Sequence, residues 1–189
     1  MDIDEMTVFR EAIQKKGYEK HGDYQRASLA EDDLFIYNKV VEIKPKIIVE
    51  IGTWYGLSAC VMAKALVDCG MRDSVIYTCD KNNMYIPENP FATMIKFYNM
   101  QSKEFLKSLK RDGVKTDLMF IDGRLNEKDA NRMYNIFNGL RTYMLHDYFI
   151  DKGKFNFEEI TKTLWHHNFS VEVPSVIDKY GVFIIKENA

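Results

Sequence analysis

Along this chain the apolar residues recur in two periods. Short aliphatic runs, as in buried strands, alternate with stretches whose apolar positions return every three or four residues, as in helices. Residues 4–16 place Met6, Phe9, Ala12 and Ile13 on one helical face, and Gly17 to Gly22 reads as a loop. Ser28-Leu-Ala-Glu31 is a capping box. Ala30, Leu34, Tyr37 and Val41 then line a second helix, which Pro45 stops. A first strand spans Ile47 to Ile51. The helix after it carries Ala59, Met62, Ala63 and Leu66 on one face, and Gly70 ends it.

The alternation continues. Ser74 to Cys79 is a strand closed by Asp80, and residues 81–94, with Pro87 and Pro90, read as a surface loop. Ile95 to Met100 is a third strand, before a helix bearing Phe105, Leu106 and Leu109. Asp117 to Ile121 is a fourth, ending at Asp122-Gly123. Asn126 caps a helix with Ala130, Met133, Tyr134 and Phe137 on its apolar face, stopped by Gly139. Arg141 to Leu145 is a fifth strand, followed by His146-Asp147-Tyr148 and a loop over 149–156. Asn156 and Glu159 open a helix with Phe157, Ile160 and Leu164. Ser170 to Lys186 reads as two strands pairing as a hairpin.

Strands alternating with helices predict an α/β fold with a parallel, doubly wound sheet. In such sheets the ligand lies beyond the carboxyl ends of the strands. The polar residues that close the strands are Glu50 and Gly52, Asp80, Gln101 and Ser102, Asp122, then His146 and Asp147. The first crossover is the most informative. Gly52-Thr-Trp-Tyr-Gly56 joins the first strand to a helix opening at Ser58. Glycines let backbone approach a ligand, and the free N–H groups of the helix start face it. A dinucleotide fingerprint needs a middle glycine where Trp54 stands, and a phosphate loop needs a lysine where Leu57 stands.

Length and composition narrow the picture. The chain has 189 residues, the size of one domain, and a net charge of −2 from 26 basic and 28 acidic side chains. That balance gives no global reason to expect nucleic acid or an anionic membrane. No apolar run approaches a membrane span, and the acidic start, Met1-Asp-Ile-Asp-Glu5, is unlike a signal or transit peptide. Cys60, Cys69 and Cys79 lack paired spacing and read as free thiols, which suits a cytoplasmic protein.

Val49-Glu-Ile-Gly-Thr-Trp-Tyr-Gly-Leu-Ser58 resembles motif I of the class I S-adenosylmethionine (SAM)-dependent methyltransferases, and Asp80 resembles their ribose-binding acid. Met100-Gln-Ser102 resembles the adenine segment, and Asp117 to Asp122 resembles the family's fourth strand. The resemblance runs over about residues 28–186. It implies a Rossmann-like, three-layer αβα fold with seven strands ordered 3-2-1-4-5-7-6, strand seven antiparallel. Residues 1–45 would be a helical lid of the same domain, and 46–189 the SAM-binding part. It also implies that Glu50 lies near the methionine ammonium. Gly52, Thr53, Trp54, Tyr55, Gly56 and Ser58 would hold the amino-acid end and ribose, with Asp80, Gln101, Ser102 and Asp122 completing the cofactor site.

Small O-methyltransferases in the same broad family often read D-G-x-H after strand four and H-D after strand five. This chain has Asp122-Gly-Arg-Leu125 and His146-Asp147-Tyr148. Asp122 and Asp147 form an oxygen pair of the kind that Mg²⁺ or another divalent cation prefers. The family histidine falls at Leu125, and the third metal ligand at Tyr148. Asp122 can equally order the cofactor loop, and Asp147 can cap a turn. His146 is a candidate base or a hydrogen-bonded structural residue. Arg124 either recognises an acidic acceptor or pairs with Glu127 or Asp129. Trp54, Tyr55 and Tyr85 are candidates to line an acceptor pocket, or core and lid packing. His166-His167 reads as a solvated helix end.

The expectation is a cytoplasmic SAM-dependent methyltransferase acting on a small-molecule or glycan hydroxyl, with no nucleic acid or membrane partner and with a homodimer left open. Two rivals stand beside it. One is a catalytically silent SAM-binding relative acting as a regulator or scaffold. The other is a different SAM-using or nucleotide-linked enzyme on the same fold.

Overall fold

The computed structural model describes residues 1–21, 30–123, 142–146, 149–150, 154–155, 169–172 and 183–187. Five parallel strands form the body of the sheet in the order β3-β2-β1-β4-β5. They are β1 (Ile47–Ile51), β2 (Val75–Asp80), β3 (Ile95–Asn99), β4 (Leu118–Ile121) and β5 (Thr142–Leu145). Beyond β5 lie β9 (Phe183–Glu187) and then β8 (Phe169–Glu172), each antiparallel to its neighbour. The alternation of strand and helical periods foretold the parallel sheet, and the family resemblance implied this order of its first five strands.

The sheet is buried on both faces, and the strand period of two sorts its side chains. Ile48, Ile76, Leu118, Phe120 and Met144 join the core on the side of the helices α1 (Ile3–His21), α2 (Ala30–Ile43) and α3 (Leu57–Asp68). Val49, Ile51, Cys79, Met119, Ile121, Tyr143 and Leu145 join a second core on the opposite face. There α4 (Ser102–Arg111) inserts Phe105, Leu106 and Leu109. Each of these large side chains contributes about 1.5–3 kcal/mol by leaving water. Helix α3 is enclosed nearly all round because α1 and α2 pack on it from outside. It ends in a Schellman turn: Met71 N–H donates to Leu66 O at 2.7 Å and Gly70 N–H to Val67 O at 3.1 Å, with Gly70 at φ 83°.

The structure corrects several expectations. Helix α1 does not stop before Gly17 but runs through it to His21. Gly17 is buried there, where a Cβ would lie 3.2 Å from the Tyr55 ring, so the missing side chain lets α1 approach the first glycine turn. Ala12 is exposed, and Met6 and Ile13 carry the buried face. In α2 the buried face is Asp32, Asp33, Ile36, Tyr37 and Val40, so of the expected stripe Tyr37 is buried while Ala30, Leu34 and Val41 are half-buried beside it. Two acids on that face hid it from a hydrophobic pattern. Residues 81–94 are irregular as expected, yet Tyr85, Ile86, Phe91 and Met94 are buried, so the loop is packed. The 149–156 segment holds two short antiparallel strands, β6 (Phe149–Ile150) and β7 (Lys154–Phe155), in place of a plain loop. The helices expected after Asn126 and Asn156 lie outside the described residues, as do Ser28 of the capping box and His166-His167. Among the described residues no helix is long and apolar enough to cross a membrane.

Candidate functional site

Two groups of residues meet at the carboxyl edge of the sheet. The first is built on the turn from β1 to α3. The chain passes through Gly52 at φ 99°, Trp54 at φ 46° and Gly56 at φ 92°. Gly52 N–H and Thr53 N–H both donate to Cys79 O, at 3.0 and 3.2 Å, which folds the turn over the end of β2. A Cβ on Gly52 would stand 2.6 Å from the carbonyl oxygen of Asp122, and one on Gly56 would stand 2.8 Å from the Tyr85 ring. Both positions therefore demand glycine twice, by backbone conformation and by space. Helix α3 starts at Gly56 without a side-chain cap, so its first N–H groups are left to water or a ligand.

Behind the turn lies a buried polar network. Glu50 is fully buried and accepts from Ser58 Oγ and from Thr78 Oγ1, each at 2.5 Å. Thr78 spends its one proton on Glu50, so the Thr53 hydroxyl donates to Thr78 Oγ1, also at 2.5 Å. Burial pushes the Glu50 carboxyl up to about 7; the two hydroxyl donors offset part of that rise, and Asp122 and Asp80 add to it. Asp80 closes β2 and accepts from Trp54 N–H at 3.0 Å and Asn82 N–H at 2.8 Å. Asn99 Nδ2 donates to Asp80 O at 3.1 Å and ties in the end of β3. Gln101 stands exposed at the N-cap of α4, and Ser102 opens that helix.

The second group is built on the ends of β4 and β5. Asp122 N–H donates to Ile51 O at 2.8 Å, and His146 N–H donates to Ile121 O at 2.9 Å. A carboxylate can only accept, so His146 Nδ1–H donates to Asp122 Oδ1, at 3.0 Å. His146 Nε2 lies 3.8 Å from Asp32 Oδ2, an ion-pair distance too long for a direct hydrogen bond. The next residue, Asp33, is fully buried and bound by Arg10 Nε at 2.5 Å. Helices α1 and α2 thus bring charged side chains to the β5 end.

The edge thus unites Glu50, Gly52, Thr53, Trp54, Gly56, Ser58, Asp80, Asp122 and His146. Trp54 is 37% exposed at the mouth, while Tyr55 and Tyr85 are buried. Tyr85 stacks on Phe97 at 4.9 Å and accepts from Asn89 Nδ2 at 2.8 Å, which makes it a support of the glycine turn. Arg124, Asp147 and Tyr148 lie outside the described residues, as does Leu125. Sequence reading passed over Thr78, Asn99 and the trio Arg10, Asp32 and Asp33. Thr78 carried a signal, because in-register parallel pairing sets it beside Glu50. Asp32 and Asp33 read as ordinary acids of a helix first turn.

Residues 49–142 match the family model described as a methyltransferase domain. No curated protein sequence matches the chain. Among solved structures it resembles the O-methyltransferase from Bacillus cereus in complex with SAH, at 13% identity and a TM-score of 0.71, over 94% of this chain and 89% of that one. It also resembles the O-methyltransferase TomG from Streptomyces achromogenes, involved in tomaymycin synthesis and solved with SAM, at 13% identity and a TM-score of 0.69, over 97% and 89%. A third is the SAH-bound methyltransferase PaMTH1 of Podospora anserina, at 16% identity and a TM-score of 0.64, over 98% and 95%. At these identities the likeness is one of fold.

Proposed function

Residues 49–142 belong to the methyltransferase domain family, and on that premise we propose that the chain is a SAM-dependent O-methyltransferase acting on a hydroxyl of a small molecule or glycan. The observation that carries the choice of cofactor is the charge around the glycine turn. Three acids, Glu50, Asp80 and Asp122, gather at the strand ends beside it, and Asp80 and Asp122 raise the cost of charging Glu50. Such a site favours a ligand bearing a sulfonium and an ammonium and opposes an anionic pyrophosphate. The uncapped start of α3 takes the carboxylate of the methionine moiety, Glu50 and Ser58 face its ammonium, Asp80 holds the ribose, and Gln101 and Ser102 border the adenine. The two O-methyltransferases of similar fold, solved with SAH and SAM, support this reading.

Methyl transfer needs little from the protein beyond alignment and proton removal, since the cofactor supplies the leaving group. Asp122 and His146 are the described residues suited to that task, and Arg124 and Asp147 stand beside them as candidates from the sequence alone. Of the oxygen pair expected to hold a divalent ion, Asp122 is described and Asp147 lies outside the described residues. No three His, Cys, Asp or Glu side chains among them converge on a metal-sized site, and one oxygen of Asp122 is taken by His146. Residues 1–45 are a cap of the same domain and 46–189 its SAM-binding part, in a three-layer αβα arrangement of order 3-2-1-4-5-7-6. The free thiols, Cys60 and Cys79 buried and Cys69 half-buried, suit a cytoplasmic setting.

Calorimetry with SAM, SAH and NAD tests the assignment. SAM and SAH are expected to bind and NAD to give no heat. SAM at 100 times its dissociation constant should add about 2.7 kcal/mol to stability. Methyl transfer from radiolabelled SAM to a panel of phenols, sugars, alcohols and amines then tests the acceptor class. No heat with SAM or SAH removes the function, and label confined to nitrogen removes the O-methyl assignment.

A further inference from the structure

The side chains around His146 form a gradient of exposure that sets which of them an acceptor can reach. Asp122 keeps 31% of its side chain exposed, His146 7%, and Asp32, on the far side of the imidazole, 10%. Three described residues flank the ring, and little of it is exposed. Nδ1 is bound to Asp122, Nε2 faces Asp32 at 3.8 Å, and the Phe120 ring lies 6.3 Å away. The Arg10–Asp33 pair anchors the first turn of α2 that carries Asp32. A base must come within hydrogen-bond reach of the proton it removes. The histidine is therefore the wrong member of the group to meet a substrate.

We propose that Asp122 is the catalytic proton acceptor and that His146, backed by Asp32 from the N-terminal cap, is a positioning residue that orients its carboxylate. This rests on the methyltransferase function argued above. In the step, a lone pair of the acceptor oxygen forms a bond to the sulfonium methyl carbon. The carbon–sulfur pair stays on sulfur, giving neutral S-adenosylhomocysteine. The hydroxyl proton passes to the Asp122 carboxylate and leaves by its exposed side. His146 holds Oδ1 throughout and carries no proton away.

Two measurements test the proposal. The first needs no acceptor. Native protein is treated with diethyl pyrocarbonate, which acylates accessible imidazoles, or with carbodiimide and glycinamide, which amidates accessible carboxylates, and peptides are read by mass spectrometry. Asp122 is expected to label while His146 and Asp32 are spared until the protein unfolds. A native protein acylated at His146, or spared at Asp122, overturns the proposal. The second compares His146→Asn with His146→Ala, using the best acceptor of the panel. The asparagine amide nitrogen sits near the place of Nδ1 and can still donate to Asp122, but it cannot act as a base. His146→Asn is expected to keep kcat within about 10-fold of wild type, while His146→Ala and Asp122→Ala lose about 100-fold or more, the scale of general-base catalysis. Equal loss in His146→Asn and His146→Ala makes His146 the base and overturns the assignment. SAM binding is measured on unmodified wild type. A protein that binds SAM but labels in the reverse order refutes the proposal alone, whereas one that binds neither SAM nor SAH removes the function beneath it.

Discussion

The two halves of the carboxyl edge reach the same place by different means. The β1–β2 half is shaped by backbone laid over the buried Glu50 network: two glycines at positive φ, N–H groups folded onto Cys79 O, and a carboxylate, Asp80, that accepts main-chain N–H bonds. The β4–β5 half is made of side chains from separate elements, with His146, Asp122 and Asp32 delivered by β5, β4 and α2. The contrast matches the division of work in methyl transfer. A cofactor common to many reactions is held by features that tolerate no substitution. The acceptor side is held by side chains that can change with the substrate.

The sharpest way to break this contrast is at the contact where the halves touch. Gly52→Ala places a Cβ 2.6 Å from the backbone carbonyl of Asp122, at φ 99°, so neither the residue nor its neighbour can yield cheaply. We expect a loss of about 3 kcal/mol or more in a denaturant melt, together with loss of SAM binding. A variant that melts like wild type would mean that the backbone half is not rigid after all.

Next in size is the buried carboxylate. The Glu50 carboxyl stands at about 7 against an ordinary 4.5. A raised acid stabilises the fold fully below its unfolded value, and this contribution is lost as pH rises through the folded one. Stability should therefore fall between about pH 4.5 and 7, by on the order of 3 kcal/mol. Glu50→Gln should flatten that slope and melt higher than wild type at pH 8, while weakening SAM. A cationic ligand favours ionised Glu50, so SAM binding near pH 6 should release a proton, seen in calorimetry as a dependence on buffer ionisation enthalpy. A wild-type melting temperature flat over this window, with no proton release, would detach Glu50 from the cofactor.

Asp80→Ala is expected to weaken SAM by about 1.5–3 kcal/mol, the scale of hydrogen bonds to a charged group. Titration calorimetry reads it directly, and unchanged affinity would take Asp80 out of the site. The variant also frees Trp54 N–H and Asn82 N–H, so its melt separates lost turn from lost ligand contact.

How much could be read from sequence follows the same division. Gly52, Gly56, Ser58 and Asp80 were legible because a strand, a glycine turn and a helix start sit within one short stretch, and local spacing encodes local backbone. Asp122 and His146 were legible as strand ends but not as partners, because pairing across β4 and β5 is a tertiary fact. Asp32 and Asp33 were illegible. Their burial reverses the usual rule that acids of a helix first turn face water, and only packing of α2 against the β5 end and Arg10 explains it. Gly17 misled for a related reason, since glycine inside a helix reads as a break unless the ring it accommodates is known.

A last comparison asks whether Asp80 is special or only a common lock. Asp117 makes a near copy of its contacts at the opposite, amino end of the sheet: its Oδ2 accepts from Lys46 N–H and Ile47 N–H, both at 2.9 Å. There an exposed carboxylate at the start of β4 holds the start of β1. The local bonds are alike, but the helix end that precedes β4 is the C-terminus of α4, closed by a turn through Gly113, and not a helix N-terminus. Asp117→Ala should cost about 1 kcal/mol of stability, because water can replace the carboxylate at an exposed site, and should leave SAM affinity as it was. Running it beside Asp80→Ala subtracts the mechanical share of the Asp80 effect. If both variants weaken SAM equally, binding depends on the sheet as a whole, and the carboxyl edge loses its claim to be the site.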